Sequence, residues 1–151
     1  MSRVITLKHL RGAPGLRIFG LGPNLLPCDG LKKLKIFLEK NAFWAKDREL
    51  KHLKQCLSNS DVIVSLWIEN NIVGFGRALT DGRYRGVLWD VVIDEKFQGK
   101  GYGTIIVNTI INSKIMKNTK KIYLMTTHKK DFYSQLEFKE VINQALMIKE
   151  I

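Results

Sequence analysis

Gln98-Gly99-Lys100-Gly101-Tyr102-Gly103 is the segment of this chain whose residue types and spacing point most directly to chemistry. Glycines at alternate positions let the backbone come close to a bulky anion, and successive amides can then point at it. The residues before the loop, Val91-Val92-Ile93, read as a buried strand. Those after it, Ile106, Val107, Ile110 and Ile111, repeat at the spacing of one helical face. A helix opening at the loop adds unpaired N–H groups and the positive end of its dipole, and Lys100 brings a further positive charge. The chemistry implied is the grip of a phosphate group. The pattern is neither the GxGxxG of dinucleotide-binding folds nor GxxxxGK[ST]. A purely structural glycine turn would read the same way.

The elements that must position this loop follow from periodicity. Asp29 reads as an N-cap for a helix with Leu31, Leu34, Phe37 and Leu38 on one face, ended by Asn41. A second helix follows Asp47 with Leu50, Leu53 and Leu57 as its buried stripe, and Lys46, Arg48, Lys51 and Lys54 as its solvated side. The period then changes. Val62–Ile68 is β-branched, Asn70-Asn71 suits a tight turn, Ile72–Leu79 resumes as strand, and Asp81-Gly82 breaks it. Gly86–Ile93 is almost wholly apolar and is expected to be central in the sheet. From Thr104 to Ile111 β-branched propensity favours strand while the apolar spacing favours helix. We assign a helix, because a glycine loop makes most sense as its entrance. Ile122–Met125 is the next strand, Asp131 caps a short helix through Leu136, and Ala145–Ile148 forms a last strand. Near the start, Val4, Ile5 and Leu7 look like a strand, and Gly12–Gly30, with Pro14, Pro23 and Pro27, reads as loops around a short strand at Leu16–Leu21.

Composition narrows the class. The chain has 151 residues, 45% apolar and 26% charged, which fits one domain over residues 1–151. No apolar run approaches the roughly 20 residues of a membrane span. Met1–Leu10 lacks the apolar core and cleavage site of a secretory signal, so the cytoplasm, or the plastid stroma for an organellar protein, is the expected compartment. Cys28 and Cys56 stand without a Cys/His cluster, so they are expected as free thiols, and no metal site is expected. A formal charge of +11 attracts anions. No basic cluster is interleaved with aromatics, and we expect no nucleic-acid binding; that alternative predicts steeply salt-dependent affinity.

The loop, taken with its surroundings, resembles a known family. Gln98–Gly103 is similar to the (Q/R)-x-x-G-x-(G/A) signature of the GNAT superfamily of N-acetyltransferases. Leu88-Trp89-Asp90-Val91-Val92-Ile93 looks like that family's central strand. Asp131-Phe132-Tyr133-Ser134-Gln135-Leu136-Glu137-Phe138 resembles its F-Y-x-x-L-G-F segment. The resemblance runs from about Val62 to the last residue and is greatest to the cyanobacterial and plastid branch, which includes serotonin N-acetyltransferase-like enzymes. It implies an α+β GNAT fold, a mixed, mostly antiparallel sheet of about six to seven strands flanked by about four helices. It also implies acetyl-CoA as cosubstrate, with Gln98, Gly99, Lys100, Gly101, Tyr102, Gly103 and Thr104 at its pyrophosphate. By the same resemblance Val91, Val92 and Ile93 pair with pantetheine, the Val91 N–H is the oxyanion donor, and Tyr133 is the general acid. Two positions depart from the pattern. Thr126 stands where many relatives carry an Asn that contacts pantetheine. Glu137 replaces a glycine, a change of small consequence if the backbone there is not left-handed.

The base that deprotonates the amine is open. Val87 and Trp89 occupy strand positions where relatives carry Glu or His. Asp90 is the nearest carboxylate, but alternation puts it on the face opposite Trp89, where it could instead pair with Arg77 or Arg85. Glu69, His128 or a water chain are other routes. Phe43, Trp44, Trp67, Tyr84 and Trp89 could each shape an acceptor pocket or simply pack. Phe43-Trp44, in the loop between the first two helices, and Trp89 are our acceptor contacts. The expected partner is a small-molecule or protein amine, and the chain a monomer or homodimer. The alternative function is a non-catalytic acyl-CoA-sensing module.

Overall fold

The computed structural model describes residues 2–13, 22–23 and 29–151. The strand expected at Leu16–Leu21, together with Pro14, Pro27 and Cys28, lies outside the described residues. One sheet runs in sequential order through β1 (Val4–Leu10), β2 (Val62–Ile68), β3 (Asn71–Thr80), β4 (Arg85–Ile93) and β5 (Lys121–Tyr123). The first four strands are antiparallel. β5 lies parallel to β4, which calls for a crossover connection.

Helices α1 (Gly30–Asn41) and α2 (Leu50–Ser58) cover one face of the sheet. Leu34, Phe37, Leu38, Leu53 and Leu57 bury there against Ile63, Trp67, Phe75 and Val92. The crossover helix α3 (Tyr102–Ile111) and the short α4 (Lys130–Gln135) cover the other face. Ile106, Val107, Ile110 and Tyr133 pack there with Val64, Leu66, Val73 and Leu88. A sheet covered on both sides buries β2 along nearly its whole length, which accounts for its unbroken apolar run. On α3 the helical spacing prevails over β-branched propensity, because that spacing gives one stripe to bury on the sheet.

Several expectations are corrected. Among the described residues the sheet has five strands, not six or seven. Ala145–Ile148 forms no strand, and Leu146, Met147 and Ile148 are exposed by 77%, 88% and 85%. Propensity without a paired neighbour does not make a strand. β4 is next to the edge, and β3 is central. β5 stops at Tyr123, short of Met125. The β2–β3 turn is Glu69-Asn70, one residue early, with Glu69 at φ 54°. Asp29 makes no side-chain cap bond, and its φ of 52° is left-handed. Asp131 lies inside the first turn of α4. At that helix entrance it is Thr126 Oγ1 that accepts, from the Lys129 N–H at 3.1 Å.

Candidate active site

The loop after β4 is set at its start by Asp94. One carboxylate oxygen accepts from the Lys96 N–H at 3.0 Å and the other from Lys40 Nζ at 2.9 Å, which pins a short 3-10 turn, Glu95–Phe97, to α1. Gly99 and Gly101 follow at φ 76° and 81°, left-handed values that glycine adopts freely, with open space where a side chain would stand. The first bond of α3 runs from the Ile105 N–H to Gly101 O at 3.1 Å. The N–H groups of Tyr102, Gly103 and Thr104 precede it and have no helical acceptor. Among the described residues no backbone carbonyl takes the N–H of Gly99, Lys100 or Gly101 either. A row of unpaired amides at a helix N-terminus binds an anion. Gly103 has a different reason for its identity: a Cβ there would stand 2.8 Å from Phe132 Cζ. Lys100 Nζ sits over the Phe97 ring at 5.1 Å, and Phe97 stacks on Tyr102 at 6.3 Å.

Among the described residues β4 reaches the loop with one free edge. Its pairing with β5 covers only Arg85–Val87, although β4 continues to Ile93. The Asp94 N–H bonds Val73 O on β3 at 2.9 Å, so alternation turns the amides of Ile93 and Val91 away from β3, toward the side where β5 no longer pairs. Gln98 Nε2 donates to Ile93 O from that side at 3.4 Å. An extended, amide-bearing ligand can add itself there as a strand would.

Asp90 interrupts β4. Phe75 faces Val92 and Arg77 faces Trp89, so two residues, Asp90 and Val91, oppose the single Gly76. Asp90 is the extra residue of a bulge, at φ 52°. The bulge reverses alternation: Leu88 packs with α3, whereas the Asp90 carboxylate points to the α1 and α2 face. The expectation that Asp90 and Trp89 lie on opposite faces therefore fails, since Trp89 is register partner to Arg77, which itself bonds Asp90. Both carboxylate oxygens are occupied. Oδ1 accepts from Trp44 Nε1 at 3.2 Å and Arg48 Nη2 at 3.1 Å. Oδ2 accepts from Arg48 Nη1 at 2.8 Å and Arg77 Nε at 2.9 Å. Burial pushes this carboxyl up, but the bonds from Arg48 and Arg77 outweigh it and hold it below the usual carboxylate range. Arg77 was one expected partner, while Arg85 is exposed at the start of β4. Arg48 was expected on the solvated side of α2 and instead faces the site.

Tyr133 comes from the opposite face. It is 8% exposed and packs in the cluster that holds Leu88 and Val91. Burial raises its phenol from the ordinary value near 10 to about 12. The end of α4 fixes it. The Phe138 N–H bonds Tyr133 O at 3.1 Å and the Glu137 N–H bonds Ser134 O at 3.0 Å, the paired closure of an α-helix that ends on a single left-handed residue. The Tyr133 ring is packed by the Phe138 ring at 5.8 Å and by the Phe132 ring at 4.8 Å. Glu137 carries the left-handed residue, φ 67°, so the departure from glycine does matter. Glu137→Gly is expected to stabilise the fold by about 1 kcal/mol, raising Tm by about 2–4 °C, read by calorimetry.

The Acetyltransferase (GNAT) family model matches residues 33–138 of the chain. The chain belongs to the GNAT acetyltransferase family. Among its relatives is the "Uncharacterized N-acetyltransferase ycf52" of Pyropia yezoensis, 40% identical over 72 residues, which cover 45% of this chain and 41% of that protein. Another is "Serotonin N-acetyltransferase 2, chloroplastic" of Oryza sativa subsp. japonica, 31% identical over 71 residues, 42% of this chain and 34% of that one. The chain thus spans well under two thirds of the curated relatives it matches. A GNAT family acetyltransferase structure from Streptococcus pneumoniae superposes with a TM-score of 0.73 at 17% identity, covering 99% of this chain and 98% of that one. It shows the same fold.

Within this GNAT chain the remaining residues divide clearly. Phe43 and Trp44 form the 3-10 turn between α1 and α2, edge to face at 5.1 Å and exposed by 62% and 50%. Through its indole N–H Trp44 stands over the β4 bulge. The Trp89 indole nitrogen is buried and bonds no described residue. Trp67 is fully buried, with Nε1 donating to Ser65 Oγ at 2.9 Å, and belongs to the core. Tyr84 lies in the β3–β4 connection under Lys120 Nζ. Glu69 sits in the β2–β3 turn, bonded by Ser2 Oγ at 2.9 Å, with β3 between it and β4. His128 is exposed before α4. A cavity of about 680 Å³ opens at the other end of β4, lined by Arg11, Asp61, Leu79, Val87 and Tyr123 among others. Its Asp61 is already held by Arg11 at 2.9 Å.

Proposed function

We propose that this GNAT protein moves an acetyl group from acetyl-CoA to a primary amine by direct attack within a ternary complex. The observation that carries this reading is that, among the described residues, the edge of β4 at Val91–Ile93 is free and lies beside a loop whose amides have no acceptor. The loop fits a diphosphate by geometry and charge, with the amides from Gly99 to Thr104 as donors and Lys100 as a nearby cation. The β4 edge fits an extended chain of amides such as pantetheine. Acetyl-CoA, when bound, supplies an acyl thioester as the electrophile.

The chain's own groups then have distinct roles. The Val91 N–H donates to the carbonyl oxygen as charge develops on it. Tyr133 keeps its proton at neutral pH and presents it to the departing sulfur. Its raised pKa lies well above a thiol's ordinary value of about 8.5, so a large share of its effect is a hydrogen bond to the forming thiolate. No oxygen of Asp90 is open to take a proton from the amine, and we assign that step to water leading to the surface. On the acceptor side Phe43 and Trp44 offer half-exposed aromatic surface above the bulge. Together with the serotonin-acetylating relative, this favours an arylalkylamine, with protein lysines second. The net charge of +11 weighs against polyamines. We place the protein in the cytoplasm or, given its chloroplastic relatives, in a plastid stroma.

The test is thiol release from acetyl-CoA with tryptamine-type amines, polyamines and a lysine peptide. The expected result is amine-dependent release, fastest with the arylalkylamine. CoA binding without release on any amine would instead support an acyl-CoA sensor.

A further inference from the structure

We infer that Asp90 is a positioning residue: with Trp44, Arg48 and Arg77 it holds the β4 bulge in the left-handed turn that aims the Val91 N–H at the edge of β4 where β5 no longer pairs, and so ties that amide to the acceptor loop between α1 and α2. The inference deepens the proposed acetyl transfer and rests on it for its kinetic readout.

A non-glycine residue at φ 52° persists only where its surroundings over-determine it. Here four donors on three residues, from two separate parts of the chain, converge on one carboxylate whose side chain is 4% exposed. Arg77 comes from β3, the strand the bulge must stay paired with, and it also reaches Ser60 Oγ at 3.4 Å. Trp44 and Arg48 come from the segment joining α1 to α2, so the clamp is also what fastens that segment to β4. Asp and Asn tolerate left-handed backbone better than other side chains, but glycine needs no clamp to adopt it. The two guanidinium groups keep the carboxylate ionised and weakly basic, consistent with an anchor rather than a proton acceptor.

The difference between anchor and base can be read from Asp90→Gly, Asp90→Ala, Arg48→Ala and the double variant Asp90→Gly/Arg48→Ala. For each, kcat and KM for the amine are measured, with CoA affinity by calorimetry and the Val91 amide resonance by NMR without substrate. An anchor predicts that Asp90→Ala lowers kcat about 100-fold with CoA affinity within about threefold of the parent. Asp90→Gly should recover at least about tenfold of that loss. Arg48→Ala should lower kcat about tenfold and shift or broaden the Val91 resonance, yet add no more than about twofold to Asp90→Gly, because a glycine bulge no longer needs holding. Equal inactivity of the glycine and alanine variants would overturn the proposal in favour of carboxylate chemistry. Should the Asp90 variants fail to fold, Arg48→Ala decides alone, since its side chain is 30% exposed and its removal is mild; an unmoved Val91 resonance with unchanged kcat overturns the anchor. If the parent protein turns over no amine at all, the acetyl-transfer reading fails, while the Val91 resonance still judges the clamp.

Discussion

Tyr133→Phe is expected to lower kcat about 100-fold while leaving CoA affinity and Tm close to those of the parent. The substitution removes one hydroxyl and keeps the ring that Phe132 and Phe138 pack against, so the fold has little to lose. What disappears is the proton held near the departing sulfur, and positioned acid catalysis is worth about 10² to 10⁴ in rate. The pH dependence has a defined sign. Burial lifts the Tyr133 pKa to about 12, so the phenol remains protonated throughout the range in which the enzyme can be assayed. A rate profile from pH 6 to 10 should therefore show no descending limb that Tyr133→Phe abolishes. Such a limb, or a kcat within threefold of the parent, would remove Tyr133 from the role.

Gly101→Val should weaken CoA binding by about 10² to 10³. Gly101 holds φ 81°, and an L-residue there loses roughly 1–2 kcal/mol, more for a β-branched side chain. The valine methyls would also fill the open space over the loop and displace amides from a charged ligand, each such bond being worth about 1.5–3 kcal/mol. Together these amount to about 3–4 kcal/mol, and each 1.4 kcal/mol is tenfold in affinity. Titration calorimetry with CoA reads the loss directly. The same substitution should leave Tm nearly unchanged if relief of the strain comes from the loop swinging outward. Unaltered CoA affinity would show that the ligand does not use this turn.

The parts of the site legible in the sequence are those whose chemistry is local. The glycine loop, the helix after it and the Phe132-Tyr133 segment are each specified by a few consecutive residues, and the family they resemble is the family to which the chain belongs. What stayed hidden depends on contacts between distant residues. Arg48 reads as one more cation beside Lys46 and Lys51, and nothing in its neighbourhood says that its partner lies 42 positions away on β4. The bulge at Asp90 was invisible because alternation assumes an unbroken pleat, and one inserted residue reverses every facing that follows. Gly103 reads in the sequence as one more glycine of the anion-binding loop, and the second reason for its identity, the Phe132 ring at its Cβ position, comes from α4. The consequence of Glu137 stays conditional in the sequence because no residue type by itself announces a positive φ; the φ of 67° decides it. The expected strand at Ala145–Ile148 failed for the same reason in reverse: a strand is defined by its partner, and β5 supplies only three residues.

An amide-resolved NMR titration with CoA bears most directly on the whole account. The largest shifts are predicted at Gly99, Lys100, Gly101, Tyr102, Gly103 and Thr104, with a second group at Val91 and Ile93 along the β4 edge. An unperturbed loop, with the changes gathered instead around Arg11, Leu79, Val87 and Tyr123 at the far end of β4, would contradict it.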